Sequence, residues 1–163
     1  MQNFYDLTMN ELEAAIGALG NEKYRARQLY QWIYNKGVLD FSDMTNISKG
    51  LRTIFGDMFY TGLPDIIEAI PSNDGSVKLG FAGKDGKPIE SVLIPAKDRY
   101  TLCVSSQIGC RMGCKFCVTG RIGFIRNLSV SEIVGQVMGA KRYSGERRIS
   151  NIVFMGMGEP VDS

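Results

Sequence analysis

Three cysteines, Cys110, Cys114 and Cys117, stand in the run GCRMGCKFC with the spacing Cys-x3-Cys-x2-Cys. One loop can wrap thiolates spaced this closely around a single metal centre. Soft thiolates select zinc or an iron–sulfur cluster over magnesium or calcium. Three ligands are one short of closing a tetrahedral zinc site or a four-cysteine cluster, so one corner is left for a substrate. The remaining cysteine, Cys103, offers the alternative of a zinc knuckle closed from within the chain. A second candidate is FMGMGEP (154–160), whose glycines let the backbone approach a ligand closely. The chain has no histidine. That excludes imidazole zinc ligands, His-activated nucleophiles and an imidazole general base from this chain. Proton transfer falls to a carboxylate, a thiol, lysine, tyrosine or water.

These groups need elements to carry them, and the 163 residues suffice for one domain or two small ones. With 44% hydrophobic and 22% charged residues, the composition is that of a soluble globular protein. No apolar run approaches the roughly 18 residues a membrane span requires. The N-terminus carries acidic residues where a signal peptide needs a basic region. The expectation is a cytoplasmic protein with no membrane partner, where clustered cysteines bind metal or react rather than cross-link. Basic residues gather late in the sequence, at Arg111, Lys115, Arg121, Arg126, Lys141, Arg142, Arg147 and Arg148. Beside the cysteine loop they could attract an anionic partner such as RNA, or simply form a solvated face.

The first sixty residues read as helical. A capping box at Thr8–Glu11 opens a helix to about Leu19. A second helix runs from Glu22 to Lys36 with Ala26, Leu29, Tyr30, Ile33 and Tyr34 inward, and Gly37 stops it. A third spans Ile47 to Met58 with Leu51, Ile54 and Phe55 inward. Trp32 is assigned to core packing rather than to a stacking surface. From Ile66 the period changes to that of strands, at 66–70, 77–81, 89–94 and 100–105. Asp74-Gly75 and Asp85-Gly86 supply hairpin turns. Ser129 or Ser131 caps a helix to about Tyr143 that buries Ile133, Val134, Val137 and Met138. Asn151–Met155 then reads as a buried strand. The organisation expected is α+β passing into α/β, with a helical domain at 1–62 and a β-hairpin segment at 63–98. The first βαβ unit of a parallel barrel follows at 99–163, with its last strand exposing an edge.

The cysteine loop resembles the signature of radical S-adenosylmethionine (SAM) enzymes. TLCVSSQIGCRMGCKFCVTGRIGFIRNL (101–128), RARQLYQWIYNKG (25–37), DFSDMTNISKGLR (40–52) and FMGMGEP (154–160) together resemble the RlmN/Cfr family of RNA adenine methyltransferases, on its RlmN branch. The resemblance implies a truncated (βα)6 partial barrel and a [4Fe–4S] cluster held by Cys110, Cys114 and Cys117. SAM is the second cofactor it implies, with Phe116 near the cluster and Gly158 and Glu159 contacting the SAM amino group. It implies Cys103 as the thiol that resolves a methyl-cysteine RNA adduct and Glu90 as the proton acceptor. The activity implied is methylation of C2 of an adenine in 23S ribosomal RNA, with transfer RNA a second candidate substrate. A one-electron donor such as flavodoxin is a further implied partner. As an N-terminal fragment, the chain is expected not to turn over alone. Methylation at C8, and a non-catalytic RNA-binding module with structural zinc, are the competing readings.

Overall fold

The computed structural model describes residues 1–162. Two compact units divide the chain, Met1–Gly62 and Leu63–Ser163.

In the first unit, strand β1 (Gln2–Asn3) precedes helix α1 (Met9–Ala18). The Thr8 hydroxyl accepts the Glu11 amide, and the Glu11 carboxylate accepts the Thr8 amide, satisfying two otherwise unpaired donors. Gly20, at φ 71°, takes the left-handed turn after the helix. Helix α2 (Tyr24–Tyr30) runs into a π-type turn, Gln31–Asn35, closed by the Lys36 amide on the Gln31 carbonyl at 3.1 Å. Within this turn Tyr34 is half-buried against the Phe4 and Tyr5 rings. Tyr30 is exposed rather than inward and stacks on Tyr34 at 4.2 Å. Trp32 is half-buried, with its indole N–H on Asn46 and the Lys36 ammonium over its ring, so it is not a core residue. Helix α3 (Lys49–Met58) begins after Ile47, buries Phe55 and leaves Ile54 exposed. Strand β2 (Phe59–Tyr60) pairs in parallel with β1 over a core of Phe4, Tyr5, Leu12, Ile16, Leu29 and Ile33.

The second unit is built on one sheet. Its strands are β3 (Ile66–Pro71), β4 (Val77–Ala82), β5 (Pro88–Ala96) and β6 (Arg99–Cys103). These four are antiparallel neighbours in chain order. Gly75 (φ 83°) and Gly86 (φ 76°) make the expected tight turns. The hairpin strands are therefore not a separate body, since β5 pairs directly with β6. Strands β7 (Gln107–Ile108) and β8 (Arg126–Asn127) form a small ladder flanking helix α4 (Val118–Ile122). Helix α5 (Val130–Ser144) then crosses to β9 (Arg148–Val153), which lies parallel to β6. That is a βαβ unit.

Leu79, Phe81, Ile89, Leu93 and Leu102 pack with Ala140, while Ile133 and Val137 lean on the same core. The buried face of α5 coincides only in part with its apolar stripe. Ser131, Glu132, Gly135, Gln136 and Ala140 lie deepest, and Val134 and Met138 are only half-buried. Glycines cause the shift. A Cβ on Gly135 would lie 2.3 Å from Pro64, and one on Gly139 would lie 2.5 Å from the Phe81 ring. The helix backbone sits too close for side chains there. Strand β9 is the sheet edge, with Ile152 48% exposed, so the expected burial of residues 151–155 does not hold. Nothing among the described residues pairs its outer edge.

Candidate active site

By strand alternation, Glu90 and Val92 point away from the face that buries Ile89, Ser91 and Leu93. Register places Lys78, Val92, Cys103 and Val153 in one cross-strand row on that opposite face. Glu90 stands one step along, opposite Gly80, and its carboxylate pairs with the Lys78 ammonium at 3.0 Å. Cys103 ends β6 and is buried, which pushes its thiol pKa up, while the Met155 amide pulls the other way.

Beyond Cys103 the chain passes through Val104–Gln107, all buried. The Gly-Met-Gly loop folds onto this stretch. The Gly156 amide donates to the Val104 carbonyl at 3.0 Å, and the Met157 carbonyl accepts from the Ser106 and Gln107 amides. A Cβ on Gly156 would lie 2.6 Å from the Ser105 hydroxyl, and one on Gly158 would lie 2.6 Å from the Gln107 Cβ. Gly158 also has φ 104°. The close approach that these glycines permit is onto the chain's own Val104–Gln107. Gln107, fully buried, accepts the Glu159 amide at 3.1 Å and donates to Asn127 at 3.1 Å. The Glu90 carbonyl accepts the Ser105 hydroxyl, so Glu90, Cys103, Gly158 and Glu159 all adjoin one short segment at the C-terminal ends of β6 and β9.

The cysteine loop leaves this segment directly. At its neck a Cβ on Gly109 (φ 73°) would overlap the Gly123 carbonyl, which accepts the Cys110 amide at 3.2 Å. Gly113 (φ 61°) turns the chain between the first two cysteines, and the Cys117 amide closes on the Cys114 carbonyl at 3.1 Å. Cys117 precedes α4. The Gly120 amide, then the amide and hydroxyl of Thr119, lower its thiol pKa. The thiolate is the metal-binding form, so this site is biased toward a ligand. All three thiols are free; Cys114 is exposed and the other two are half-buried. Three unlinked thiols on a glycine-wound loop fit a soft metal centre as a donor set. Among the described residues no three potential ligand side chains have already converged. Phe116 is 91% exposed.

Sequence reasoning passed over the polar side chains that organise this region. Arg126 at the foot of the loop binds Asp85 at 2.8 Å and Glu132 at 2.7 Å. Gln107, Ser105 and Gln136 are internal amides and a hydroxyl of types that carry no chemical signature. The signal available was local: Gln136 interrupts an apolar helix on the side where two glycines recur.

Residues 2–59 match the family described as ribosomal RNA large subunit methyltransferase N-terminal domain. A protein named dual-specificity RNA methyltransferase RlmN from Bdellovibrio bacteriovorus is 46% identical over 162 residues, covering 99% of this chain and 41% of that protein. One of the same name from Campylobacter fetus is 45% identical over 179 residues, covering 100% and 49%. Among solved structures, a radical SAM methyltransferase from Sphaerobacter thermophilus superposes with a TM-score of 0.84 at 41% identity, covering 99% of this chain and 48% of that one. The chain spans somewhat less than half the length of these relatives.

Proposed function

Taking the chain as the N-terminal portion of an RlmN-type radical SAM methyltransferase, we propose that the whole protein methylates C2 of an adenine in 23S ribosomal RNA in the cytoplasm. The relatives' printed name, dual-specificity, supports a second class of RNA substrate, and transfer RNA is the reading adopted. The observation that carries the proposal is the junction at Val104–Gln107. There the strand bearing Cys103, the Gly-Met-Gly loop and the start of the cysteine loop meet through backbone bonds.

Cys110, Cys114 and Cys117 would hold three irons of a [4Fe–4S] cluster, and the fourth iron would be left for SAM. When bound, the cluster supplies single-electron cleavage of SAM, the source of a radical able to functionalise an unactivated aromatic carbon. A donor such as flavodoxin would provide the electron. The residues of this chain have separate tasks. Gly158 and Glu159 orient the SAM amino group. Phe116, exposed on the loop, is free to close over the bound nucleoside. Glu90 accepts the proton lost from the adenine, and the Lys78 ammonium stands 3.0 Å from its carboxylate. Cys103 supplies the thiol that releases the product. With three cysteines on the cluster and Cys103 as this thiol, none of the four is left to carry the methyl group, so the chain alone would not turn over.

The test is to incubate the whole protein with ribosomal RNA, SAM and reductant, then map the methyl group by nuclease digestion and mass spectrometry. 2-Methyladenosine is expected, and it disappears with Glu90→Gln or Cys103→Ala. 8-Methyladenosine would overturn the C2 assignment, and unmodified RNA would overturn the activity.

A further inference from the structure

Gln136, Ser105 and Ser91 are all fully buried, and Gln136 bonds to both serines. The Gln136 side-chain oxygen accepts the Ser91 hydroxyl at 2.7 Å and the Ser105 amide at 2.8 Å. Its NH2 group donates to the Ser105 carbonyl at 3.0 Å and the Glu132 carbonyl at 3.3 Å. Two acceptor sites and two donors are all that a glutamine amide has, and all four are filled. The orientation is unambiguous, because a flipped amide would set N–H against the Ser105 N–H and oxygen against its carbonyl. A helix side chain here completes the backbone pairing of a residue that has just left its strand.

Ser105 carries the constraint onward. Its hydroxyl donates to the Glu90 carbonyl at 2.6 Å and accepts the Met157 amide at 2.9 Å. The same hydroxyl occupies the space that a Cβ on Gly156 would need. Helix α5, strand β5 at Glu90 and the Gly-Met-Gly loop are therefore joined through one amide and one hydroxyl. Neither group belongs to the cysteine loop or touches Gly158 or Glu159.

We infer that Gln136 and Ser105 form a positioning relay, through which α5 fixes the Met157–Glu159 backbone relative to Glu90 and so sets the affinity for SAM. The SAM part of this inference rests on the proposed function; the relay itself does not. Fully satisfied buried polar networks specify one arrangement, because any other leaves donors or acceptors unpaired in a dry interior.

Ser105→Ala removes the hydroxyl while leaving both backbone bonds to Gln136 in place. Ser91→Ala removes a hydrogen bond to the same Gln136 oxygen but has no contact with the loop, and serves as the structural control. Two readouts are needed. In amide hydrogen exchange, Ser105→Ala should speed exchange at Met157 about tenfold, the scale of one lost buried hydrogen bond, with Leu79 and Leu93 unchanged. Ser91→Ala should leave Met157 protected. In the protein reconstituted with iron and sulfide, Ser105→Ala should weaken SAM binding by a similar factor at a thermal midpoint matching that of Ser91→Ala. Equal effects of the two substitutions at Met157, or no effect of either, would overturn the relay. Absence of SAM binding by the unsubstituted protein would instead sink the cofactor reading, and the exchange data would still decide the relay. Faster Met157 exchange with unchanged SAM affinity would refute the functional half alone.

Discussion

Arg126 spends both ends of its guanidinium on carboxylates, with Asp85 on the β4–β5 turn and Glu132 in the first turn of α5. Burial pushes the Glu132 carboxyl up, yet the hydrogen bonds from Arg126 and from the Lys84 and Ser129 amides prevail and hold it at about 2. The Asp85 carboxyl is likewise held well below its ordinary value, chiefly by Arg126. A carboxyl depressed on folding contributes stability above its unfolded value, here 4.5, and loses it as pH falls through the folded one. Denaturant unfolding should therefore show stability falling between pH 4.5 and 2, and Glu132→Gln should flatten that decline. At neutral pH the substitution should cost about 3 kcal/mol, since it leaves part of a buried charge network uncompensated. A neutral-pH loss under about 0.5 kcal/mol, the range of ordinary surface changes, would contradict the pairing. At this scale the cysteines were readable from sequence because thiol chemistry is specific. Gln136 and Gln107 were not, because nothing in a glutamine's type says that its hydrogen bonds are satisfied internally.

Among elements, the features that obey local rules were legible. The Thr8–Glu11 box and the Asp-Gly turns form as read, since their geometry depends on residues three or four positions apart. Features fixed by tertiary approach were misread. Ile133 and Val137 of the hydrophobic stripe of α5 pack on the core as read, but Gly135 and Gly139 lie against Pro64 and Phe81 and leave Val134 and Met138 only half-buried. Gly156 and Gly158 of the 154–160 loop also pack against Val104–Gln107, a close approach within the chain that the sequence pattern does not announce. Gly139→Ala tests the helix. The added methyl must displace either the Phe81 ring or α5, at a cost of about 1–3 kcal/mol, whereas on helix propensity alone alanine would stabilise by about 1. A stabilised variant would show that the close packing is not there.

The whole molecule carries an open parallel edge. Among the described residues β9 has β6 on one side and no strand on the other, and Ile152, Phe154 and Met155 are exposed there. Edges of this kind template pairing with another chain unless they are covered or charged. Sedimentation of this chain should show association that grows with concentration, and Ile152→Lys should suppress it. A monomer at all concentrations would contradict that. The relatives named above are roughly twice as long as this chain.

The central claim is that Cys110, Cys114 and Cys117 hold an iron–sulfur cluster with one open position. Its most direct test is anaerobic reconstitution of this chain, with iron and labile sulfide assayed and EPR spectra of the reduced protein recorded with and without SAM. About four irons and four sulfides per chain, a spectrum altered by SAM, and loss of both in Cys114→Ala are predicted. A single zinc without sulfide would contradict the claim and leave the three cysteines a structural knuckle.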